Sequence, residues 1–140
     1  MEKKEKMEWL GRYREAMQQE DTLLEELKWL RADAERVSAG LATAGGGGAP
    51  SIDRLPRAVE RIDAARADLE AQVEHCMAVR AQIVRALASV RTPAPRDALY
   101  RRYVLGQTTE QIAQALHLVP RRVRQLYDKG LQEINLSESC

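Results

Sequence analysis

The clearest structural signal lies in residues 99–134, which run LYRRYVLGQTTEQIAQALHLVPRRVRQLYDKGLQEI. Thr108, with Gln111 three positions later, has the spacing of a capping box that starts a helix. That helix is predicted over Thr109–Leu116, and a three-residue connection separates it from a last helix that begins at Pro120 and runs to about Ile134. Two short helices joined by so tight a turn are typical of a helix-turn-helix.

The apolar residues of these two helices recur on one face of each helix. Ala113 is small at the place where the helices would cross, which allows a close approach, and Leu118 is expected to plug the turn. The positions expected to face inward are Ile112, Ala113, Leu116, Leu118, Val123, Leu126 or Tyr127, and Leu131. Tyr100 and Tyr103, on the preceding helix, are expected to join this packing.

With that face buried, the last helix presents a basic face that suits the major groove of DNA. Arg side chains can contact O6 and N7 of guanine there, and Gln can contact N6 and N7 of adenine. Arg101 and Arg102, on the preceding helix, are expected to contact phosphates or to pair with acidic neighbours. Asp128 is an alternative to Lys129 at the outward end of the face. The predicted DNA-binding residues are Pro120, Arg121, Arg122, Arg124, Gln125, Lys129, Thr108 and Arg102.

The same stretch resembles the C-terminal promoter-recognition domain, region four, of bacterial sigma factors. The whole of residues 5–136 resembles small phage- and prophage-encoded sigma-like regulators, which join a pair of long N-terminal helices to such a domain. The resemblance implies a late-promoter regulator that acts with RNA polymerase. The residues that carry it are Leu99, Tyr103, Gly106, Thr108, Ile112, Ala113, Leu116, Val123, Leu131 and Ile134.

Two positions depart from the pattern of that family. Val119 stands where the family usually has a Ser that caps the last helix, and losing a capping hydroxyl costs on the order of 1 kcal/mol. Pro120 offsets part of this cost because its ring presets the backbone. Gly130 stands where Ala is more common, which lowers helix propensity by roughly 1 kcal/mol.

The first ninety residues carry two long amphipathic patterns. Apolar residues recur every three or four positions from Trp9 to Leu41 and again from Leu55 to Val90, and Glu20 interrupts the first series. They predict one helix over about 5–39 and a second, antiparallel to it. The segment 40–51, GLATAGGGGAPS, has no such period and is predicted to be a flexible loop.

The predicted architecture is all-α, with a long antiparallel two-helix coiled-coil hairpin followed by the helix-turn-helix domain. The hairpin covers residues 1–91, the helix-turn-helix domain covers 93–136, and 137–140 form a disordered tail. Two prolines within Thr92–Pro95 predict a hinge between the domains, followed by a short helix over Arg96–Leu105.

Each long helix carries more apolar residues than one seam between two helices requires. A bare two-helix hairpin buries little apolar surface per residue, so a further partner surface is expected. The simplest source of that partner surface is a second copy of the chain, which would form a four-helix bundle as a homodimer. The surplus residues are Leu10, Met17, Leu24, Trp29, Met77 and Val84.

Composition and charge agree with a helical DNA-binding protein. Of the 140 residues, 31% are charged and 4% aromatic, and four of the eight glycines fall together at 45–48, which favours long helices over a sheet. Residues 91–140 hold 8 Lys and Arg against 5 Asp and Glu, while residues 1–90 hold 14 against 16. Any attraction to an anionic partner therefore belongs to the C-terminal third.

Several other classes of protein are disfavoured by the sequence. No apolar run approaches the ~20 residues of a membrane span, and the N-terminus lacks the apolar stretch of a signal peptide, so a cytoplasmic location is expected. Cys76 and Cys140 form no disulfide framework. His75 and His117, with these cysteines, have no metal-ligand spacing and build no catalytic constellation, so neither a cofactor nor an enzymatic activity is expected.

Two alternative functions remain open at this stage. A small DNA-packaging subunit also combines a helix-turn-helix with a helical hairpin, although usually in the reverse order along the chain. An interaction protein whose hairpin binds a partner coiled coil, with a vestigial DNA module, would explain the surplus apolar residues. The mass of the particle and the exposure of those residues discriminate between the alternatives.

Overall fold

The computed structural model describes residues 2–43 and 54–136, and every regular element within these ranges is an α-helix. The all-α class predicted from the sequence is therefore confirmed. Within the same ranges no helix is long and apolar enough to cross a membrane. The helices are α1 (Lys3–Leu10), α2 (Arg12–Thr43), α3 (Arg54–Leu87), α4 (Pro93–Tyr103), α5 (Thr109–Leu116) and α6 (Pro120–Glu133).

The chain divides into two compact units. Unit 1 comprises the described residues up to Met17 together with those from His75 onward, and unit 2 comprises Gln18–Glu74. The first turns of the chain, the end of α3 and the three short helices α4, α5 and α6 thus belong to one body. The predicted boundary near residue 92 stays a prediction.

The first long helix, predicted as one element, is two helices separated at Gly11. Gly11 keeps a right-handed helical backbone with φ −72° and ψ −9°, and its N–H donates to the carbonyl of Met7 at 2.9 Å. Arg12 turns its side chain back across the junction, where Nε donates to the carbonyl of Trp9 at 3.1 Å. Its guanidinium lies 4.5 Å from the centre of the Trp9 ring. A glycine inside a helix is a weak point, and here α1 ends just before it.

The predicted loop 40–51 is partly helical, because α2 continues to Thr43. Ala and Leu favour helix as strongly as any residues, and they continue past Gly40 until the glycine run begins. The rest of that predicted loop lies outside the described residues, as does the predicted tail 137–140.

The predicted start of the short helix at Arg96 is wrong, because α4 begins at Pro93. The first turn of a helix has N–H groups without partners inside the helix, so prolines are tolerated there. Thr92, at the N-cap, donates from its hydroxyl to Oε1 of Glu133 at 2.7 Å and from its N–H to Oε2 at 3.2 Å. These two bonds lower the pKa of Glu133 below its ordinary 4.5. A carboxylate at this position also suits the positive end of α4.

The predictions for α5 and α6 are confirmed to within one residue. Thr108 accepts from the N–H of Gln111 at 3.1 Å through its hydroxyl, and Gln111 Oε1 accepts from the N–H of Thr108 at 2.8 Å, which completes the capping box. At the other end of α5, His117 adopts the left-handed conformation with φ 57°. Leu118 N–H then bonds the carbonyl of Ala113 at 2.9 Å, the pattern of a Schellman motif.

The core of unit 1 is built where α6 packs on α4, α5 and α1. Gly130 allows the closest of these approaches, because a Cβ on it would lie 2.5 Å from Cδ1 of Leu99 and 3.3 Å from Cβ of Pro95. Leu10 is fully buried in this core and is therefore not a surplus residue. The fully or nearly fully buried side chains include Leu10, Ile83, Leu87, Leu99, Ile112, Val90, Val123 and Pro95.

The described residues of unit 2 include very few buried side chains. Among them only Leu27 and Ala65 are buried apolar residues, at 5% and 6% exposed. Half-buried residues flank each at three- and four-residue spacing, so each helix segment turns one stripe inward. The polar residues Glu20 and Gln72 fall within these stripes and are both half-buried.

Candidate nucleic-acid interface

Helix α6 separates its apolar and basic residues onto opposite faces. Val123, Leu126 and Tyr127 are 5% exposed or less, and Gly130 and Leu131 are also buried. Because these residues recur every three or four positions, they define a single inward stripe. The polar residues between them all stand in solvent: Arg121, Arg122, Arg124, Gln125, Asp128, Lys129 and Gln132. Pro120 is half-buried at the start of the helix.

Two of the predicted base-contacting residues are bonded to each other. Arg122 Nη1 donates to Oε1 of Gln125 at 3.2 Å, one turn along the helix. The amide NH₂ of Gln125 and the remaining donors of Arg122 stay available to a ligand. A bidentate contact of Gln125 with adenine needs both its oxygen and its nitrogen, so Arg122 would first have to release the oxygen.

Arg102 is held by aromatic rings rather than by a carboxylate. Its guanidinium carbon lies 4.6 Å from the centre of the Tyr127 ring and 5.4 Å from that of Tyr103. Tyr127 is in turn fixed by a 3.3 Å hydrogen bond between its hydroxyl and that of Thr109. Burial raises the pKa of Tyr103 above 10.0, against the lowering effect of the Arg102 charge, so the Tyr103 ring stays neutral beside the cation. Arg101, by contrast, pairs with Asp97 at 2.9 Å.

Thr108 and Lys129 occupy the two ends of the predicted set. The Thr108 hydroxyl accepts a bond within the capping box, and its own hydrogen can still be donated to a ligand. Lys129 is exposed on α6 and lowers the pKa of Glu133 through its charge.

The connection between α5 and α6 is more exposed than predicted. Leu118 was expected to plug the turn, but 36% of its surface is accessible, so that prediction is wrong. The Schellman motif turns the chain at His117, and the residues after it leave the surface of α5. Val119 is 65% exposed at the N-cap of α6 and supplies no side-chain cap.

The structure also adds residues that the sequence analysis did not include in the site. Lys3 Nζ lies 2.5 Å from Oδ1 of Asp128, and Lys6 Nζ donates to the carbonyl of Leu131 at 2.7 Å. Both lysines come from α1 and bind α6 more than 120 residues further along the chain. Lysines at positions 3, 4 and 6 were the one available signal, and nothing in their local pattern indicates the partner.

Two further findings concern metal binding and similarity to known proteins. Among the described residues, no three His, Cys, Asp or Glu side chains come together as a metal site would require. No protein-family model, no curated protein and no solved structure matches this chain. The functional assignment therefore rests on the residues and their geometry.

Proposed function

We propose that this protein is a sequence-specific DNA-binding transcription regulator that uses α5, the turn 117–119 and α6 as a helix-turn-helix. The observation that carries the proposal is the basic outer face of α6, where three arginines and Gln125 stand in solvent while the opposite face is buried. In such a motif the N-terminal part of the second helix enters the major groove. Arg121, Arg122 and Arg124 all lie in the first two turns of α6.

The roles of these residues follow from their positions. Arg121, which makes no hydrogen bond or ion pair within the described residues, is free to approach a base edge. Arg122 and Gln125 would act as a coupled pair. Thr108, at the start of α5, and Arg102 are placed to contact phosphates. Most of the affinity would come from neutralising phosphates, so binding should weaken steeply as salt is added.

The first experiment measures fluorescence anisotropy on a pool of duplex DNA at two salt concentrations. The test variant replaces Arg121, Arg122 and Arg124 with Ala. Its matched control replaces Arg54, Arg57 and Arg61, three exposed arginines of α3 in unit 2, and removes the same charge. We expect salt-sensitive binding that the test variant loses and the control keeps. Equal losses in the two variants, or no binding by the wild type at low salt, would refute the proposal.

We further propose that unit 2 joins two copies of the chain as a homodimer. Its exposed apolar residues support this: Trp29 is 61% accessible, Val59 47%, Leu24 39% and Val73 37%. Two DNA-binding heads on one dimer would bind more tightly than one, provided that both can engage. Sedimentation of the wild type beside Trp29→Glu tests this. A monomeric wild type would refute it, and an oligomer of eight or more subunits would favour a DNA-packaging protein.

A contact with RNA polymerase is proposed from the resemblance to sigma region four. It would place the protein at late promoters of a phage or prophage, in the cytoplasm of a bacterial host. Co-purification with core polymerase at low salt is the expected result. Its absence would leave a DNA-binding regulator that acts without direct contact to the polymerase.

A further inference from the structure

One cavity of unit 1 has three cations and a single anion among its lining residues. It measures about 230 Å³ and lies where α1, α4 and α6 meet. Each of these helices contributes one cation: Lys3 from α1, Arg102 from α4 and Arg124 from α6. Asp128 is the one acidic residue of its lining, and Tyr103 and Tyr127 form part of the wall.

The charges around this cavity are not balanced by the protein. Asp128 is paired with Lys3. Within the described residues, neither Arg102 nor Arg124 forms a hydrogen bond or an ion pair. Two guanidinium groups that line one small cavity are therefore left without an anionic partner. Like charges repel, and an anion bound between them would offset that repulsion.

Arg102 is already oriented for an anion. Its guanidinium carbon lies over the rings of Tyr127 and Tyr103, which restrict the side chain while its N–H donors stay unused. A planar guanidinium with free donors matches the paired oxygens of a phosphate, and less side-chain entropy is lost when it is already held. Only the Lys3 ammonium would have to be shared with Asp128.

We propose that Lys3, Arg102 and Arg124 together bind one backbone phosphate of duplex DNA, so that the N-terminal helix α1 is part of the DNA interface. This inference rests on the proposed function. Arg124 joins the two sites, because it belongs both to the outer face of α6 and to the cavity. A helix that lies in a major groove has phosphates along both sides, and α1 packs beside α6. In this arrangement Asp128 competes with the phosphate for Lys3.

The test compares Lys3→Ala with Lys4→Ala in the full-length protein. Lys4 is the neighbouring lysine and is exposed, and its replacement by Ala removes the same charge. The probe is the duplex pool, and the measured quantity is the slope of log Kd against log salt. Losing a whole phosphate contact reduces the magnitude of that slope by roughly 0.9. Lys3→Ala leaves Arg102 and Arg124 on the phosphate, so its reduction is a part of that value. We expect the reduction for Lys3→Ala and a slope near that of the wild type for Lys4→Ala. Equal slopes for the two variants would overturn the inference.

A second variant separates phosphate binding from a merely structural role of Lys3. If Lys3 binds a phosphate, Asp128→Asn strengthens DNA binding several-fold more in the wild type than in Lys3→Ala, because only the wild type gains a released ammonium. The loss of a negative charge from α6 is common to both backgrounds. If Lys3 only fastens α1 to α6, the gain is equal in the two backgrounds or absent, which overturns the inference. Circular dichroism confirms that each variant is folded.

The last experiment adds inorganic phosphate, because a free phosphate ion could bind the same cations as a phosphate of the DNA backbone. Saturable stabilisation of the wild type by inorganic phosphate, combined with an unchanged DNA slope in Lys3→Ala, would assign the cavity to a free anion and overturn the proposal. Failure of the proposed function has a different signature. In that case the wild type binds no duplex at any salt concentration, whatever the Lys3 variant does.

Discussion

The two units are built from the same kind of amphipathic helix but bury very different amounts of it. Every buried apolar side chain among the described residues belongs to unit 1, except Leu27 and Ala65. In unit 1, α6 is packed by α1, α4 and α5, so its inward stripe is covered from several sides. In the described part of unit 2, the segments available for packing are one from α2 and one from α3. The number of helices that surround a stripe, rather than the apolar content of the stripe, decides how much surface is buried.

This difference assigns separate roles to the two units. Unit 1 holds the basic face of α6 on a close-packed core, which fixes the directions of its side chains. Unit 2 leaves Trp29 and Val59 accessible, as a surface that another chain would cover. The chain has one tryptophan in each unit, Trp9 and Trp29, so the stabilities of the two units can be followed separately.

A matched pair of leucine truncations tests the comparison most directly. Leu99 is fully buried in unit 1, and Leu99→Ala should cost about 3 kcal/mol of unfolding free energy, because the packed core cannot close the cavity. Leu27→Ala in unit 2 should cost less than half of that, since most of the described residues around it in the chain are exposed or half-buried. Urea unfolding followed by Trp9 and Trp29 fluorescence, in variants with one tryptophan each, measures both losses. Equal losses would contradict the contrast between the units.

The close approach at Gly130 predicts the next largest effect. Gly130→Ala gains roughly 1 kcal/mol of helix propensity. It also places a methyl group 2.5 Å from Cδ1 of Leu99, and overpacking of this kind costs about 1–3 kcal/mol. Because Leu99 is fully buried and cannot swing away, we expect a net loss of about 1 kcal/mol. In a Leu99→Ala background the same change should be stabilising, and a double-mutant cycle from urea unfolding measures that change of sign.

The turn at His117 predicts a small gain. A left-handed backbone costs a non-glycine residue roughly 1 kcal/mol. Glycine removes this cost, but its greater flexibility in the unfolded chain cancels about half of the gain in stability. His117→Gly should therefore stabilise unit 1 by about 0.5 kcal/mol. His117→Ala is the control, since it keeps the strained backbone and should give no gain. Thermal unfolding followed by Trp9 fluorescence compares the three proteins, and a less stable His117→Gly would contradict this account of the turn.

Glu133 predicts the smallest effect, and that effect depends on pH. Its pKa is lowered in the folded state because Thr92 donates two hydrogen bonds to the carboxylate. A group whose pKa is lowered on folding contributes stability above its ordinary pKa of 4.5, and this contribution is lost as the pH falls through the lower folded value. The wild type should therefore exceed Glu133→Gln in Tm at neutral pH by a small margin. That margin should close on acidification below 4.5. A margin that is independent of pH would assign the effect to packing.

Elements with local signals were predictable from the sequence, while elements that depend on distant partners were not. The bounds of α5 and α6 follow from Thr108, Gln111 and Pro120, each of which acts on residues within one turn of itself. The division at Gly11 and the start of α4 at Pro93 were missed, because a glycine or proline permits several outcomes and packing selects one. Leu118 was placed inside because its spacing fits a buried stripe, yet the turn at His117 leaves it half in solvent.

The candidate interface shows the same division. The outward basic residues of α6 could be listed from their spacing, since a helix with one apolar stripe must turn its other residues to solvent. Lys3 could not be included, because its partner Asp128 is more than 120 residues away and only packing brings them together. The same holds for the stacking of Arg102 on Tyr127.

The sequence by itself determined the helical class, the helix ends next to strong caps, and the face of α6 that meets solvent. Each of these depends on a period of 3.6 residues or on hydrogen bonds that span a single turn. Only the tertiary structure decided that α1 packs on α6, that the missing side chain of Gly130 leaves room for Leu99, and that three cations line one cavity. These features depend on which apolar helix faces pack against each other, often between helices far apart in the sequence. Burial is a property of the assembled helices and not of any one of them.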